Sequence, residues 1–164
     1  MTLSRPAIVA LDVVAWAVIH ASTGYLVHRL PGPRFEGDGW LWRERRFERG
    51  GRLYVERFRI KRWKRWLPEA GALFPGGFDK GRLDAATADY LHTYVRETRR
   101  AELGHWLAML PAPLFFFWNP PAVGLFMVVV YAPLANGPCI LAQRYNRIRV
   151  MRVLRARHRR RPVP

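Results

Sequence analysis

The sequence predicts an all-α integral membrane protein with three transmembrane helices and an amphipathic interfacial segment on the cytoplasmic side. Residues 6–27 hold one acidic residue and one histidine among apolar or small residues, and residues 103–142 hold no Lys, Arg, Asp or Glu. Basic residues fill most of the remainder and give a net charge of +16. Since a charge at the bilayer centre costs roughly 3 kcal/mol on insertion scales, this segregation is typical of a membrane protein.

The net charge by itself would also suggest a nucleic-acid-binding protein. A soluble binder of this kind distributes basic residues over all its helices, whereas this chain keeps them out of two long stretches. We therefore expect no nucleic-acid partner. The single cysteine, Cys139, excludes an internal disulfide, and the sequence contains no CxxC or HExxH pattern. We expect no bound metal.

Three spans are predicted within one membrane domain of residues 1–164, at about 7–27, 103–118 and 122–142. The first is too long for the apolar core of a signal peptide, so we interpret it as a retained anchor. The second has sixteen residues and rises only about 24 Å, less than a bilayer core of about 30 Å, so its helix should begin earlier. Residues 119–121 predict a tight hairpin between the last two spans.

The distribution of basic residues predicts the orientation. The loop of residues 31–102 carries 17 Lys and Arg, and the tail of residues 143–164 carries nine arginines and no acidic residue. The hairpin turn at 119–121 carries no charge. Because cytoplasmic loops are enriched in Lys and Arg, we expect the loop and the tail inside and the N-terminus outside. The protein should lie in the cytoplasmic membrane as a multi-pass protein.

Within the loop, Asp84 resembles an N-cap, followed by a helix from about residue 85 that continues into the second span. Upstream, residues 53–67 interleave aromatic with basic side chains, a pattern typical of a segment at the headgroup level that contacts anionic lipids. The spacing of its apolar residues fits a strand or a helix equally well. A lipid-contacting surface without chemistry is the simplest interpretation of this segment.

The first candidate site lies at the cytoplasmic entry of the second span. Glu102 and His105 are three residues apart and therefore on one helical face, where a carboxylate can orient an imidazole as a general base. Glu97 and Trp106 flank them and are predicted to bind the substrate. The alternative is that Glu102 pairs with Arg99 or Arg100 of the same helix and that His105 makes only a polar contact at the interface.

The second candidate site follows the third span. Arginines there can hold phosphate groups by paired hydrogen bonds, and neighbouring amides can give direction. The alternative is that these arginines serve only to orient the protein in the membrane. The residues are Gln143, Arg144, Asn146, Arg147 and Arg149.

Antiparallel pairing across the hairpin brings the two groups to one depth. Counting outward from the turn predicts His105 level with Asn136 and Glu97 level with Gln143, about 22 Å from the outer turn for the first pair. Polar residues that converge inside a membrane are functional by default. Asp12 and His20, in the first span, share a face and are expected to be structural, with Asp12 paired to a neighbouring helix. Cys139 is expected to be a small buried residue.

Three segments, in order and spacing, resemble the glycosyl-4,4'-diaponeurosporenoate acyltransferase family, whose members complete staphyloxanthin-type carotenoids. The resemblance covers about residues 29–154, and the first span matches only in being apolar. Ile148 departs from the proline that we expect after the RYNR motif, which puts the local backbone in question. The segments are KRWKRWLPEAG, ETRRAELGHW and ANGPCILAQRYNRIR.

The resemblance implies transfer of a fatty acyl group from acyl-CoA, as co-substrate, to a sugar hydroxyl of a glycosylated carotenoid or related glycolipid in the membrane, with no further cofactor. His105, oriented by Glu102, would take the hydroxyl proton, and Asn136 or Gln143 would donate to the developing oxyanion. Three arginines would hold the CoA phosphates, namely Arg144, Arg147 and Arg149.

Two other functions remain open on the sequence. One is a non-enzymatic membrane protein whose basic loop binds anionic lipid or a partner, in which His105 is dispensable. The other is a different transferase at the membrane interface, such as one that moves a methyl or prenyl group.

Overall fold

A computed structural model describes residues 4–67 and 87–160, and all regular structure in those two ranges is helical. The all-α prediction is confirmed for this part of the chain. The α-helices are α1 (Arg5–Arg29), α2 (Arg52–Glu56), α3 (Ile60–Trp63), α4 (Ala88–Met109), α5 (Pro121–Phe126) and α6 (Ala132–Arg160). Short 3₁₀ turns connect them at Gly32–Phe35, Arg46–Gly51, Lys64–Trp66 and Ala112–Phe117, and a π-helical turn at Met127–Tyr131 joins α5 to α6.

Two helices in the described ranges are long and apolar enough to cross a membrane. One is α1, which has 25 residues and corresponds to the first predicted span, and the other is the continuous helix Pro121–Arg159. The helix of 39 residues is about 58 Å long, nearly twice a bilayer core, so its basic C-terminal half extends beyond the apolar part. The predicted tail is thus helical as far as Arg160.

The second predicted span differs from a simple α-helix. Helix α4 begins at Ala88, with Thr87 Oγ1 accepting from the N–H of Tyr90 at 3.3 Å, while the predicted cap at Asp84 lies outside the described residues. It continues without a break past Glu102, as predicted, and ends at Met109. Pro111 has no N–H to donate to the preceding turn, so the chain changes to the 3₁₀ turn Ala112–Phe117. Residues 103–118 are therefore not one α-helix.

The interfacial segment resolves into the short helices α2 and α3, which pack against α6. Tyr54 and Ile60 are buried on Tyr145 and Ile148. Helix α6 passes through Ile148 without interruption, because isoleucine supplies the N–H that proline would lack. The basic, aromatic segment is thereby fixed to the helix that carries the second candidate site.

Both ends of helix α1 are attached to the chain between the second half of α4 and the hairpin turn. Near the hairpin turn, buried Asp12 accepts hydrogen bonds from Trp118 Nε1 at 2.7 Å and Asn119 Nδ2 at 2.8 Å, which confirms its pairing with a neighbouring element. At the other end, a Cβ built on Gly104 would lie 3.3 Å from Cγ2 of Val27, so glycine permits the close approach of α1 to α4.

Gly124 allows the hairpin to close. A Cβ built there would lie 2.5 Å from Cδ1 and 2.8 Å from Cγ of Phe116. We expect Gly124→Ala to destabilise the protein by about 1–3 kcal/mol, as overpacking does, measured as a lower unfolding midpoint in detergent. Gly137→Ala is the matched control, because no atom lies within 4 Å of its built Cβ and alanine favours helix. Equal midpoints for the two variants would contradict this contact.

Candidate active site

The predicted register between the two long helices is confirmed at its central pair. His105 Nδ1 of α4 lies 3.1 Å from Asn136 Oδ1 of α6. Asn136 is fully buried, whereas His105 is half-buried. The pair therefore has one face closed by protein and one face open to a substrate.

The amide of Asn136 determines which nitrogen of His105 is basic. Asn136 Nδ2 donates to the backbone carbonyl of Ala132 at 3.0 Å, so the amide oxygen is the atom turned to the imidazole. An oxygen can only accept, and Nδ1 of His105 must therefore carry a proton, an assignment made from the hydrogen-bond network. In the neutral tautomer Nε2 then holds the lone pair. This is the arrangement that a general base requires.

Glu102 contacts arginines of α6 rather than serving as the observed partner of His105 Nδ1. Arg144 Nη1 lies 2.9 Å from Glu102 Oε1, and Arg147 Nη2 lies 2.6 Å from Oε2. Trp106 Nε1 donates to Oε1 at 3.4 Å. Glu102 has no exposed surface. Asn136 is thus a partner of His105 Nδ1, and Glu102 joins α4 to α6, while orientation of the imidazole by Glu102 stays a prediction.

Arg144 donates all five of its N–H groups to protein acceptors. Its Nε contacts Glu48 Oε1 at 3.0 Å and the Tyr54 hydroxyl at 3.3 Å, and its two terminal nitrogens reach Glu48, Glu102 and two backbone carbonyls. Those carbonyls belong to Leu41 and Arg43, at 2.9 Å and 3.2 Å. The predicted grip of Arg144 on a ligand phosphate does not fit this arrangement, because no N–H remains to make it.

Glu48, in the loop between α1 and α2, is a second carboxylate bound by Arg144, and it has no exposed surface. Burial alone would raise the pKa of its carboxyl, but hydrogen bonds from Arg144, Tyr54 and the Arg45 N–H lower the pKa below the ordinary value. Burial, together with the Glu48 carboxylate, raises the pKa of Tyr54. At neutral pH Glu48 is therefore a carboxylate and Tyr54 a neutral phenol, and both accept hydrogen bonds from Arg144.

Arg147 is also unsuited to a surface-bound phosphate, because its side chain is 1% exposed. Its Nη1 is buried with no hydrogen-bond partner among the described residues. Arg149 is exposed and lies over the Tyr145 ring at 5.6 Å, and Asn146 Oδ1 accepts from Lys64 Nζ at 2.9 Å. Of the three predicted phosphate-binding arginines, Arg149 alone presents an accessible guanidinium.

The remaining predicted residues lie along the same two helices. Glu97 is paired with Arg100 at 3.2 Å, one turn and a half from Glu102, and Gln143 precedes Arg144 on α6. Trp106 is 40% exposed beside His105. The two arginines considered as partners of Glu102 form their main contacts elsewhere: Arg99 with Asp38 and Arg100 with Glu97 and backbone carbonyls at the end of α1.

A sequence profile of the glycosyl-4,4'-diaponeurosporenoate acyltransferase family matches residues 38–156, well over half of the chain. The chain belongs to this family. A relative in Staphylococcus haemolyticus named glycosyl-4,4'-diaponeurosporenoate acyltransferase is 36% identical over 135 residues, covering 82% of this chain and 78% of its own length. A relative of the same name in Staphylococcus aureus strain MRSA252 is 30% identical, covering 88% of this chain and 87% of its own. No solved structure matches.

The part of the chain that matches this acyltransferase family contains all the residues of the buried cluster around Arg144, namely Glu48, Tyr54, Glu102, Arg144 and Arg147. Residues 38–156 extend from the loop carboxylates through His105 to the arginines of α6, whereas α1 lies before the match. Glu48 and Tyr54 are members of this cluster that the sequence did not single out, because many similar charged and aromatic residues surround them in the loop. The short-range pattern contains no signal that distinguishes buried Glu48 from partly exposed Glu44 or exposed Glu56.

Proposed function

We propose that this protein transfers a fatty acyl group from acyl-CoA to a sugar hydroxyl of a glycosylated carotenoid, or of a closely related glycolipid, at the cytoplasmic face of the membrane. The relatives carry a name that states an acyl transfer to a glycosylated carotenoid acid. The observation that carries the proposal is the His105–Asn136 pair, at 3.1 Å, on the two helices that connect the apolar and the basic halves of the molecule.

In the proposed reaction the sugar hydroxyl attacks the thioester carbonyl carbon. His105 Nε2 takes the hydroxyl proton as the C–O bond forms, and the C–S bond breaks when the tetrahedral intermediate collapses. The thiolate of CoA leaves and receives the proton from the imidazolium. His105 thus returns to its starting form, and the products are a sugar ester and free CoA.

Asn136 acts in this proposal as a positioning residue. One of the two N–H groups of its amide nitrogen is donated to the carbonyl of Ala132, so its role as an oxyanion donor through the other N–H stays a prediction. Its oxygen holds Nδ1–H of His105 and stabilises the imidazolium that forms during attack. Gln143 lies seven residues further along α6, about 10 Å toward the basic end, where it can contact the donor.

The depth of His105 suits an acceptor that resides in the bilayer. Toward the hairpin from His105 the surface is apolar, with Leu110 and Phe117 71% and 83% exposed. Toward the other end it is basic, through the α6 arginines. A glycosyl carotenoid with its chain in the acyl region and its sugar at the headgroups would place a hydroxyl beside His105, while Trp106 would contact the sugar.

We infer further that the protein has three spans, with residues 103–118 crossing as the end of α4 and its 3₁₀ turn, the N-terminus outside, and the loop and α6 end in the cytoplasm. After Cys139→Ser removes the single native thiol, Ser4→Cys should react with an impermeant maleimide on intact cells. Arg62→Cys should react only after the cells are opened. External labelling of Arg62→Cys would contradict this topology.

A cellular experiment tests the proposed reaction against the alternatives. The gene is expressed in a host that accumulates a glycosylated carotenoid acid, and its pigments are analysed by mass spectrometry. We expect a new pigment heavier by a fatty acyl residue, released by mild alkali as a fatty acid and the original glycoside. A methylated or prenylated pigment would indicate a different transferase. Unchanged pigment in cells that contain the inserted protein would favour a lipid-binding role.

A further inference from the structure

A cleft on the basic end of the molecule is separate from the His105 site. It has a volume of about 560 Å³ and lies between the loop and the C-terminal part of α6. Four arginines and two acidic residues account for most of its lining, and Gly50 and Met151 complete it. The charged residues are Asp38, Arg43, Glu44, Arg45, Arg46 and Arg155.

The arginines of this cleft are available to a ligand, unlike those of the buried cluster. Arg43 and Arg46 are exposed, and their side chains make no hydrogen bond or ion pair to any residue in the two described ranges. Arg155 is 58% exposed and lies 3.6 Å from Glu44. Arg45 rests over the Trp40 ring at 5.0 Å. Two cations without a hydrogen bond or ion pair in the described ranges thus face the cleft. Beside them are Arg155, in a long ion pair, and Arg45, whose Nη2 donates to the carbonyl of Trp40 at 2.7 Å.

The backbone that carries these arginines is fixed in place. Arg144 holds the carbonyls of Leu41 and Arg43, and Glu48 accepts the N–H of Arg45. On the opposite side, Arg152 donates to the carbonyl of Gly50, whose φ of +64° suits glycine. A cleft whose walls are set before a ligand arrives does not lose binding energy to ordering the loop.

The charge and chemistry of the cleft favour an anion that carries several phosphate groups. Four guanidiniums against two carboxylates leave two positive charges, and guanidinium forks match phosphate oxygens in pairs. Helix α6 separates Met151 of the cleft from Asn136 of the catalytic pair by fifteen residues, about 22 Å. The ligand should therefore have its phosphates far from its reacting atom, as acyl-CoA has, with a pantetheine arm between them.

We infer that this arginine cleft binds the phosphorylated nucleotide end of the acyl donor, and that Arg43 and Arg46 make the principal contacts. The inference rests on the proposed acyl transfer, for which it supplies the donor subsite. It also replaces the donor contacts that the sequence suggested at Arg144 and Arg147, since both of these are committed to buried carboxylates.

The test measures binding of adenosine 3',5'-bisphosphate to the full chain in phosphatidylcholine nanodiscs. This probe carries the adenosine and two of the three phosphate groups of CoA and lacks its thiol arm. Arg43→Gln with Arg46→Gln removes both exposed cations and leaves the backbone carbonyls in place. We expect the dissociation constant to rise about ten-fold or more, and the apparent KM for acyl-CoA to rise in parallel. Arg57→Gln with Arg62→Gln removes the same charge from exposed residues outside the cleft and should change neither value appreciably.

Equal weakening in both double variants, or unchanged binding in the cleft variant, would overturn the assignment. A repeat in discs that contain phosphatidylglycerol separates the donor from lipid headgroups, because loss of bisphosphate binding there would assign the cleft to lipid phosphate instead. Binding needs no turnover, so cleft-dependent binding without acyl transfer would contradict the reaction and leave the subsite intact. Normal acyl transfer, with bisphosphate binding that does not depend on the cleft arginines, would support the reaction and contradict the subsite.

Discussion

His105→Ala should lower the rate of acyl transfer by about 100- to 10,000-fold, the range that a positioned general base contributes. The variant loses the Nε2 lone pair and the hydrogen bond to Asn136, which should cost about 1–3 kcal/mol of stability. It leaves the buried ion pairs of Glu102 intact, so the protein should still fold and insert. His92→Ala is the matched control, because His92 is an exposed residue of the same helix thirteen positions earlier. The measurement is initial rate per mole of folded protein in nanodiscs.

Asn136→Asp distinguishes a base from a structural histidine. An aspartate would keep an acceptor opposite Nδ1 but add a negative charge, which favours the protonated imidazole over the neutral form that acts as a base. The acidic limb of the pH–rate profile should then move to higher pH. A near-normal rate in His105→Ala, or an unmoved profile in Asn136→Asp, would remove this pair from the chemistry.

Arg144→Ala should destabilise the protein by about 3–5 kcal/mol, the cost of leaving buried charge without its partner. Glu48 and Glu102 have no exposed surface, and Arg144 is the residue that contacts both. Arg144→Lys should recover only part of the loss, because an ammonium cannot make five fixed hydrogen bonds. The measurement is the unfolding midpoint in detergent with increasing denaturant. Arg149→Ala, at an exposed position of the same helix, should unfold like the wild type.

The same variants separate this account of Arg144 from a direct role in binding phosphate. If Arg144 held the donor, Arg144→Lys would raise the apparent KM for acyl-CoA and leave the unfolding midpoint unchanged. A large KM effect without loss of stability would contradict the buried cluster. A lower midpoint in Arg144→Lys, with the acyl-CoA KM of the surviving folded protein near normal, is the expected result.

The parts of the fold that depend on periodicity and charge segregation could be predicted from the sequence. The apolar first helix, the hairpin and the pairing of His105 with Asn136 follow from helical rise and from the position of the turn. The end of α4 at Met109 is a local effect of Pro111. It could not be predicted from an apolar run, since composition alone does not show where a helix changes to a 3₁₀ turn. The extension of α6 to Arg160 could not be predicted either, because a run of arginines after an apolar span is also typical of an irregular tail.

The partners of the charged residues could not be predicted, because they are joined across the chain. Glu102 lies near Arg99 and Arg100 in sequence, yet its carboxylate is bound by Arg144 and Arg147 from another helix. Arg144 in turn meets Glu48, 96 positions away. Helical spacing identifies neighbours on one helix, whereas these contacts depend on how the loop folds over two helices. Tertiary packing thus placed the amide of Asn136 at the imidazole and the Glu48 and Glu102 carboxylates at the arginines.

The most direct test of the central claim is transfer by the purified protein. The full chain in nanodiscs is incubated with a purified glycosyl carotenoid and an acyl-CoA that carries an isotopic label in its acyl chain. We predict that the label appears in an ester on the sugar and that free CoA thiol is released in equal amount. Thiol release without labelled ester, or neither product from folded wild-type protein, would contradict an acyltransferase.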